Sequence, residues 1–304
     1  MMGGAAGADM PSATAGSRGI LGRTRAYLEL VKFSHTVFAL PFGLMGAVLA
    51  ARGLPDGRTL AWVVAAMVGA RTGAMAVNRI ADRHLDAWNP RTASRALPRG
   101  QVRVAEAAAL ATGGFTLFVL AAWMLNPLCG LLAPLAIAVV AGYSYTKRFT
   151  ILSHLVLGLA LALAPVGGWL AVTGRPAWPP AILGIAVLFW VAGFDVLYAL
   201  ADLEFDRRTG LQSIPARLGV GPSLTVARLC HAATLACLGL LPMALNLGAL
   251  YLAGWLGAVG LLSYEHLLVY RHGLARLDVA FFNVNGTLSV GLFLFTLGDL
   301  LWGR

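Results

Sequence analysis

Apolar residues along this chain come in long, nearly unbroken runs rather than at the alternating spacing of a half-buried strand, which is the pattern of helices surrounded by lipid or by one another. Nine runs are long enough to cross a bilayer, at about 33–52, 60–81, 104–124, 127–146, 151–173, 179–201, 223–245, 247–270 and 278–302. The polar residues between them are unevenly shared. Connections after the second, fourth, sixth and eighth runs hold Arg83, Arg91, Arg95, Arg99 and Arg103, then Lys147 and Arg148, then Arg207, Arg208 and Arg217, then Arg271 and Arg276, whereas the alternate connections offer only Arg52, Arg58 and Arg175. Because basic loops remain on the cytoplasmic side, the alternation predicts a multi-pass protein of the cell (inner or plasma) membrane, with its amino terminus in the cytoplasm and its carboxyl terminus outside.

Composition agrees with that pattern. The 304 residues are 59% hydrophobic and only 12% charged, with a mean hydropathy of +0.76, which excludes an ordinary soluble domain. A net charge of +10 would in a soluble protein suggest a nucleic-acid partner; here the cations flank apolar runs, so the partner they imply is the lipid bilayer and no nucleic acid is expected. Residues 1–22 are rich in Gly, Ala and Ser and lack the apolar stretch of a signal peptide, so they are expected to form a disordered cytoplasmic tail before one transmembrane domain over 23–304. Cys129, Cys230 and Cys237 lie in apolar surroundings without metal-type spacing and read as small packing residues.

Charge is concentrated at two places. In "NRIADRHLDAWNPRTASRALPRG", residues 78–100, Asn78, Asp82 and Asp86 fall at i, i+4 and i+8, one stripe of a helix. In "DVLYALADLEFDRRTGLQSIPARLG" Asp195, Asp202 and Asp206 fall at i, i+7 and i+11, with Tyr198 four residues before Asp202. Adding 120 to 78, 82 and 86 gives 198, 202 and 206, and each set precedes a basic loop with Pro and Gly. The repeat predicts an all-α membrane protein of nine helices around a central cavity, built as two pseudo-repeated four-helix halves plus one helix. Five of the thirteen acids in the chain sit in these stripes. Hard oxygen donors without His or Cys favour Mg²⁺, which binds through a few carboxylates and phosphate oxygens. Acids for metal and arginines for phosphate belong together when the ligand is a metal diphosphate.

At these residues the sequence resembles the UbiA family of intramembrane prenyltransferases, whose signatures are NDxxDxxxD followed by an R-T-x-x-R-P-L loop, and a second DxxYAxxDxxxD. The first is matched except that Arg79 replaces the first Asp and Ala96 the loop proline; the second, "DVLYALADLEFD", is matched at every fixed position. With "KFSHTVFALPF" and "YSYTKRFTILSHLVLG", the chain looks most like the bacterial subgroup labelled 4-hydroxybenzoate polyprenyltransferase-like. The resemblance implies nine transmembrane helices, Mg²⁺ held by the paired motifs, and transfer of a prenyl chain from a polyprenyl diphosphate to an aromatic acid acceptor, 4-hydroxybenzoate or a naphthoate type, in ubiquinone or menaquinone biosynthesis.

Carried onto this chain, the metal ligands are Asn78, Asp82, Asp86, Asp202 and Asp206, and the diphosphate contacts are Arg95, Arg99, Lys147, Arg148 and Arg208. Asp195 and Tyr198 are expected to orient or deprotonate the acceptor. Arg71 lies seven residues before Asn78 and about 10 Å deeper along the same stripe; a buried arginine needs a partner, either the acceptor's acidic group or Asp195. Relatives with the same motifs that farnesylate haem, and a cation-coupled transporter, which also uses intramembrane acids and internal repeats, are the alternative functions. Against the transporter, these acids and their arginine loops sit at one mouth rather than at mid-bilayer.

Overall fold

A computed structural model describes residues 20–32, 36–273 and 283–303 and contains helices only among them. In chain order they are α1 (Ile20–Leu30), α2 (Thr36–Ala51), α3 (Gly57–Trp88), α4 (Val104–Leu125), α5 (Pro127–Thr146), α6 (Ser153–Thr173), α7 (Trp178–Ala199), a 3₁₀ turn Leu200–Asp202, α8 (Leu203–Thr209), α9 (Ile214–Leu218), α10 (Val220–Leu245), α11 (Ala249–His272) and α12 (Asn285–Trp302). Their ends follow local chemistry. Asp56 caps α3 by accepting the Thr59 N–H at 3.0 Å, Asn126 caps α5 by accepting the Cys129 N–H, with Pro127 in the first turn where it sacrifices no bond, and α6 stops at Gly174 in the left-handed conformation, φ 60°.

Seven of these helices are long and apolar enough to cross a membrane: α3, α4, α5, α6, the stretch from α7 to Thr209, α10 and α11; Phe38–Ala51, within α2, is a shorter apolar helix. The sequence predicts nine runs, and two of its boundaries move. The second run is expected to end at 81, yet α3 continues to Trp88 and carries Asp82 and Asp86 within the helix. The sixth does not run straight past 199; it tightens into the 3₁₀ turn before α8. Residues 1–19 of the expected tail lie outside the described residues, and Ile20, Leu21 and Gly22 open α1.

Neighbouring helices pack in a ring, α2 on α3, α3 on α4 and so on through α5, α6, α7, α10, α11 and α12, which returns to α2. The ring is pinched where α2 crosses α6. A Cβ added at Gly46 would lie 2.0 Å from the Pro165 carbonyl oxygen, and one at Gly168 would lie 2.0 Å from the Gly43 carbonyl oxygen. Only glycine permits that approach. The pinch divides the bundle into unlike halves. On one side Phe42, Trp190, Phe194, Leu241, Tyr251, Leu262 and Leu292 form a filled core, with Trp190 edge-on to Phe194 at 5.0 Å between ring centroids. On the other, α2 to α6 surround an apolar cavity of about 320 Å³.

The filled half also contains a polar chain. Trp190 Nε1–H donates to Asn285 Oδ1 at 2.7 Å, and Asn285 Nδ2 donates to Glu265 Oε1 at 2.8 Å. Three helices are thereby joined by groups whose separation into apolar surroundings would leave them unsatisfied. Asn285 is the shared member of both bonds, accepting from α7 and donating to α11.

Replacing Gly168 by Val is expected to push α6 off α2 and lower the thermal unfolding midpoint of the purified protein, at a cost of about 1–3 kcal/mol or more, whereas Gly142→Ala, where a Cβ meets nothing within 4 Å, is expected to leave it within a degree or so. Equal midpoints for the two variants would show that the crossing is not tight.

Candidate active site

Two acidic rows face one cavity of about 240 Å³, entered between the ends of α3, α5 and α7 and lined by Asn78, Asp82 and Asp86 from α3 and by Asp195, Tyr198, Asp202 and Asp206 from α7, the 3₁₀ turn and α8. Asp82 is 2% and Asp86 5% exposed. Buried carboxylates require partners, and the basic connections supply them. Asp82 Oδ2 accepts from Lys147 Nζ at 2.6 Å and its Oδ1 from Arg148 at 3.3 Å. Asp86 takes both its bonds from Arg95 Nη1, at 2.7 and 2.8 Å. Arg91 reaches across the mouth to hold both oxygens of Asp202 and donates from Nη1 to the Tyr198 hydroxyl at 2.9 Å, while Asn89 adds a bond to Asp202 Oδ1 at 2.9 Å. Asp206 receives the Ser213 hydroxyl at 2.7 Å.

Asn78 is drawn into the first row by donating to Asp82 at 3.3 Å. Arg79, which takes the place of an acid in the first signature, is 6% exposed. It donates through Nε to the Leu30 carbonyl at 3.3 Å and sits 4.0 Å from Asp86, so it ties α1 to α3 and adds positive charge beside the first row. Lys32, in the turn after α1, is held below the usual lysine range by burial first and then by the charges of Arg79 and Arg95. The mouth therefore concentrates cations around its carboxylates, an arrangement that suits an anionic ligand.

Three of the expected phosphate contacts are not among the residues that line the cavity. Arg148 bonds to Asp82 without lining it, whereas Arg99 is exposed in the turn that ends at Gly100 and Arg208 is exposed in the last turn of α8. Both exposed positions follow from local geometry, since a turn tip and a helix end direct a long cation to solvent and, for Arg208, toward the negative end of the helix dipole. Arg71 does not pair with Asp195. It donates to the Lys32 carbonyl at 3.2 Å, while Asp195 bonds to His154 Nδ1 at 2.7 Å. Arg91, Asn89, His154, Ser213 and Tyr143 are contributors that sequence reasoning left unassigned. The histidine carries no spacing signal because Asp195 is 41 residues away, and Ser213, only seven residues after Asp206, reads simply as the cap of α9.

The apolar cavity lies against the polar one, and Tyr143 and Leu157 line both. Alanines from five helices, including Ala39, Ala70, Ala122, Ala136 and Ala164, line it, and its strongest polar member is Arg71. Among the described residues Arg71 Nε is buried without a hydrogen-bond partner.

The donor set of the acidic rows is entirely oxygen. Among the described residues no three acidic, His or Cys side chains stand close enough to hold a metal by themselves, so a metal here would complete its shell with ligand oxygens and water. Mg²⁺ behaves in that way, binding through one or two carboxylates plus substrate phosphate. The residues fit it.

Known proteins share this sequence pattern and fold. Over 254 residues the chain is 34% identical to the 4-hydroxybenzoate octaprenyltransferase of Nitrosospira multiformis, covering 83% of this chain and 87% of that one. The apo structure of a UbiA homolog from Aeropyrum pernix K1 superposes with a TM-score of 0.80 at 35% identity, over 88% of this chain and 98% of that one. A UbiA homolog from Archaeoglobus fulgidus, solved with GPP and Mg²⁺ bound, shares the fold with a TM-score of 0.69 at 18% identity, over 90% of this chain and 99% of that one. The profile of the UbiA prenyltransferase family matches residues 39–287, and the chain belongs to that family.

Proposed function

We propose that the protein transfers a polyprenyl group from an allylic prenyl diphosphate to an aromatic acid of the 4-hydroxybenzoate type, a step of quinone biosynthesis. The observation that carries this reading is the contiguity of the two cavities. A charged chamber and an alanine-lined apolar chamber meet at Tyr143 and Leu157, which matches a ligand with a diphosphate head and an isoprenoid tail. The activity named for the Nitrosospira relative agrees. A cation-coupled carrier gives no reason for the apolar chamber.

In the membrane, α2 and α12 add two spans to the seven helices above, which gives nine, with α2–α5 and α6, α7, α10 and α11 as the related halves. The basic mouth then faces the cytoplasm and the carboxyl terminus lies outside.

Asn78, Asp82, Asp86, Asp202 and Asp206 are the residues that would hold Mg²⁺, whose chemistry is to neutralise a leaving diphosphate. Lys147, Arg148, Arg95 and Arg91, which now pair the carboxylates, are the cations placed to take diphosphate oxygens. When the allylic carbon–oxygen bond breaks, its electron pair leaves with the diphosphate, and the charge that develops there meets donors already aimed into the chamber. The aromatic ring then forms a bond to the allylic carbon and loses its ring proton to Asp195, which lines the same chamber. Tyr198, whose hydroxyl oxygen receives Arg91, lines the same chamber and is placed to orient the acceptor. Arg71, with one N–H unsatisfied, offers a charge-assisted bond to the acceptor carboxylate.

Purified protein supplied with Mg²⁺, an allylic prenyl diphosphate and 4-hydroxybenzoate is expected to release diphosphate and yield the prenylated acid; absence of product with any aromatic acid would refute the assignment. Asp82→Ala and Asp202→Ala are each expected to lower turnover by on the order of a hundredfold or more while the protein still purifies folded. The cations they would strand, Lys147, Arg148 and Arg91, are 35%, 38% and 34% exposed along their side chains and can turn to water. Arg71→Gln is expected to raise the acceptor KM by about tenfold or more and to leave the diphosphate KM nearly unchanged.

A further inference from the structure

His154 is the second residue of α6 and is 3% exposed. Its ring has a defined tautomer. The backbone N–H of Ile214 points at Nε2 from 3.3 Å, and a backbone amide can only donate, so Nε2 carries the lone pair. Nδ1 therefore carries the proton and donates it to Asp195 Oδ2 at 2.7 Å. With both nitrogens committed, the imidazole cannot itself shuttle a proton from substrate. It can fix where Asp195 points.

The amide that sets the tautomer belongs to the start of α9, and the residue before it completes the arrangement. Ser213 accepts the Ala216 N–H through Oγ at 3.2 Å and gives its own proton to Asp206 Oδ2 at 2.7 Å. Two adjacent residues, Ser213 and Ile214, thus brace both ends of the second acidic row, one directly and the other through His154. Asp195 itself belongs to the last turns of α7, next to the point where the helix tightens into the 3₁₀ turn. Its orientation is not set by helix geometry alone.

We infer that His154 is a positioning residue for the aromatic acceptor: it holds Asp195, through a neutral Nδ1–H tautomer fixed by the Ile214 amide, in the orientation that receives the ring proton. The inference rests on the reading of Asp195 given above and adds the residue that directs it. A group that fixes a base through its second nitrogen contributes by geometry rather than by contact with substrate.

The test uses the full-length protein with geranyl diphosphate and 4-hydroxybenzoate. His154→Leu is expected to lower kcat/KM for the acceptor by about tenfold or more, with the diphosphate KM within about twofold of wild type. His154→Gln, whose amide N–H₂ can donate to Asp195 while its carbonyl accepts the Ile214 N–H, is expected to recover most of that loss. In an Asp195→Ala background, His154→Leu is expected to add no further loss, because the two act as a unit. In the unmodified protein, ¹⁵N shifts of the His154 ring are expected to report the Nδ1-protonated neutral form. An Nε2-protonated ring, equal damage from Leu and Gln, losses shared equally by both substrates, or independent losses in the double variant would each overturn the inference even if Asp195→Ala is inactive. An Asp195→Ala protein with unaltered acceptor kinetics would instead refute the reading of Asp195, and this inference with it.

Discussion

A carboxylate buried in a membrane protein needs hydrogen-bond partners, and at the mouth of this bundle cations supply most of them. Asp82 draws in Lys147 and Arg148 from the end of α5, Asp86 draws in Arg95, and Asp202 draws in Arg91. None of these pairs lies within one helix. Each one binds a connection to a helix end, so the same electrostatics that would suit a metal diphosphate also fix the loops in the absence of ligand. The pairs are strong enough to shape the mouth and exposed enough to exchange partners.

Behind that mouth the bundle is asymmetric. The crossing of α2 over α6, possible because Gly46 and Gly168 admit backbone oxygens at distances no side chain allows, separates a hollow half from a filled one. In the hollow half alanines keep the helices from filling the space between them, leaving room for an apolar tail. In the filled half Trp190, Asn285 and Glu265 form a hydrogen-bonded chain inside apolar packing. The acidic rows lie where the two halves meet, and Asp195 is one residue from Phe194, a member of the filled core.

Much of this was legible in the sequence because membrane helices and metal-binding acids leave strong signals. The apolar runs locate α4, α5, α6 and α10 to within a few residues, and the spacing of Asn78, Asp82 and Asp86 places them on one stripe of α3. Other features had no such signature. The 3₁₀ turn at Leu200–Asp202 is invisible because an i+7 spacing tolerates a tightened turn. Arg99 and Arg208 look equivalent to Arg95 in a basic loop, but only the fold decides which cation turns inward. Arg91 and His154 find partners 111 and 41 residues away, and pairings at such separations are set by packing rather than by pattern. Arg79 reads as the loss of an acid, whereas in the fold it anchors α1.

The unequal filling of the two halves also bears on how the protein resists disruption. A hollow lobe forgoes the dispersion contacts that a packed one enjoys, so cohesion must reside mainly in the lobe built around Trp190 and Tyr251. That solid lobe serves as a keel: α2 and α6, pressed backbone to backbone, fasten the alanine-walled side to it.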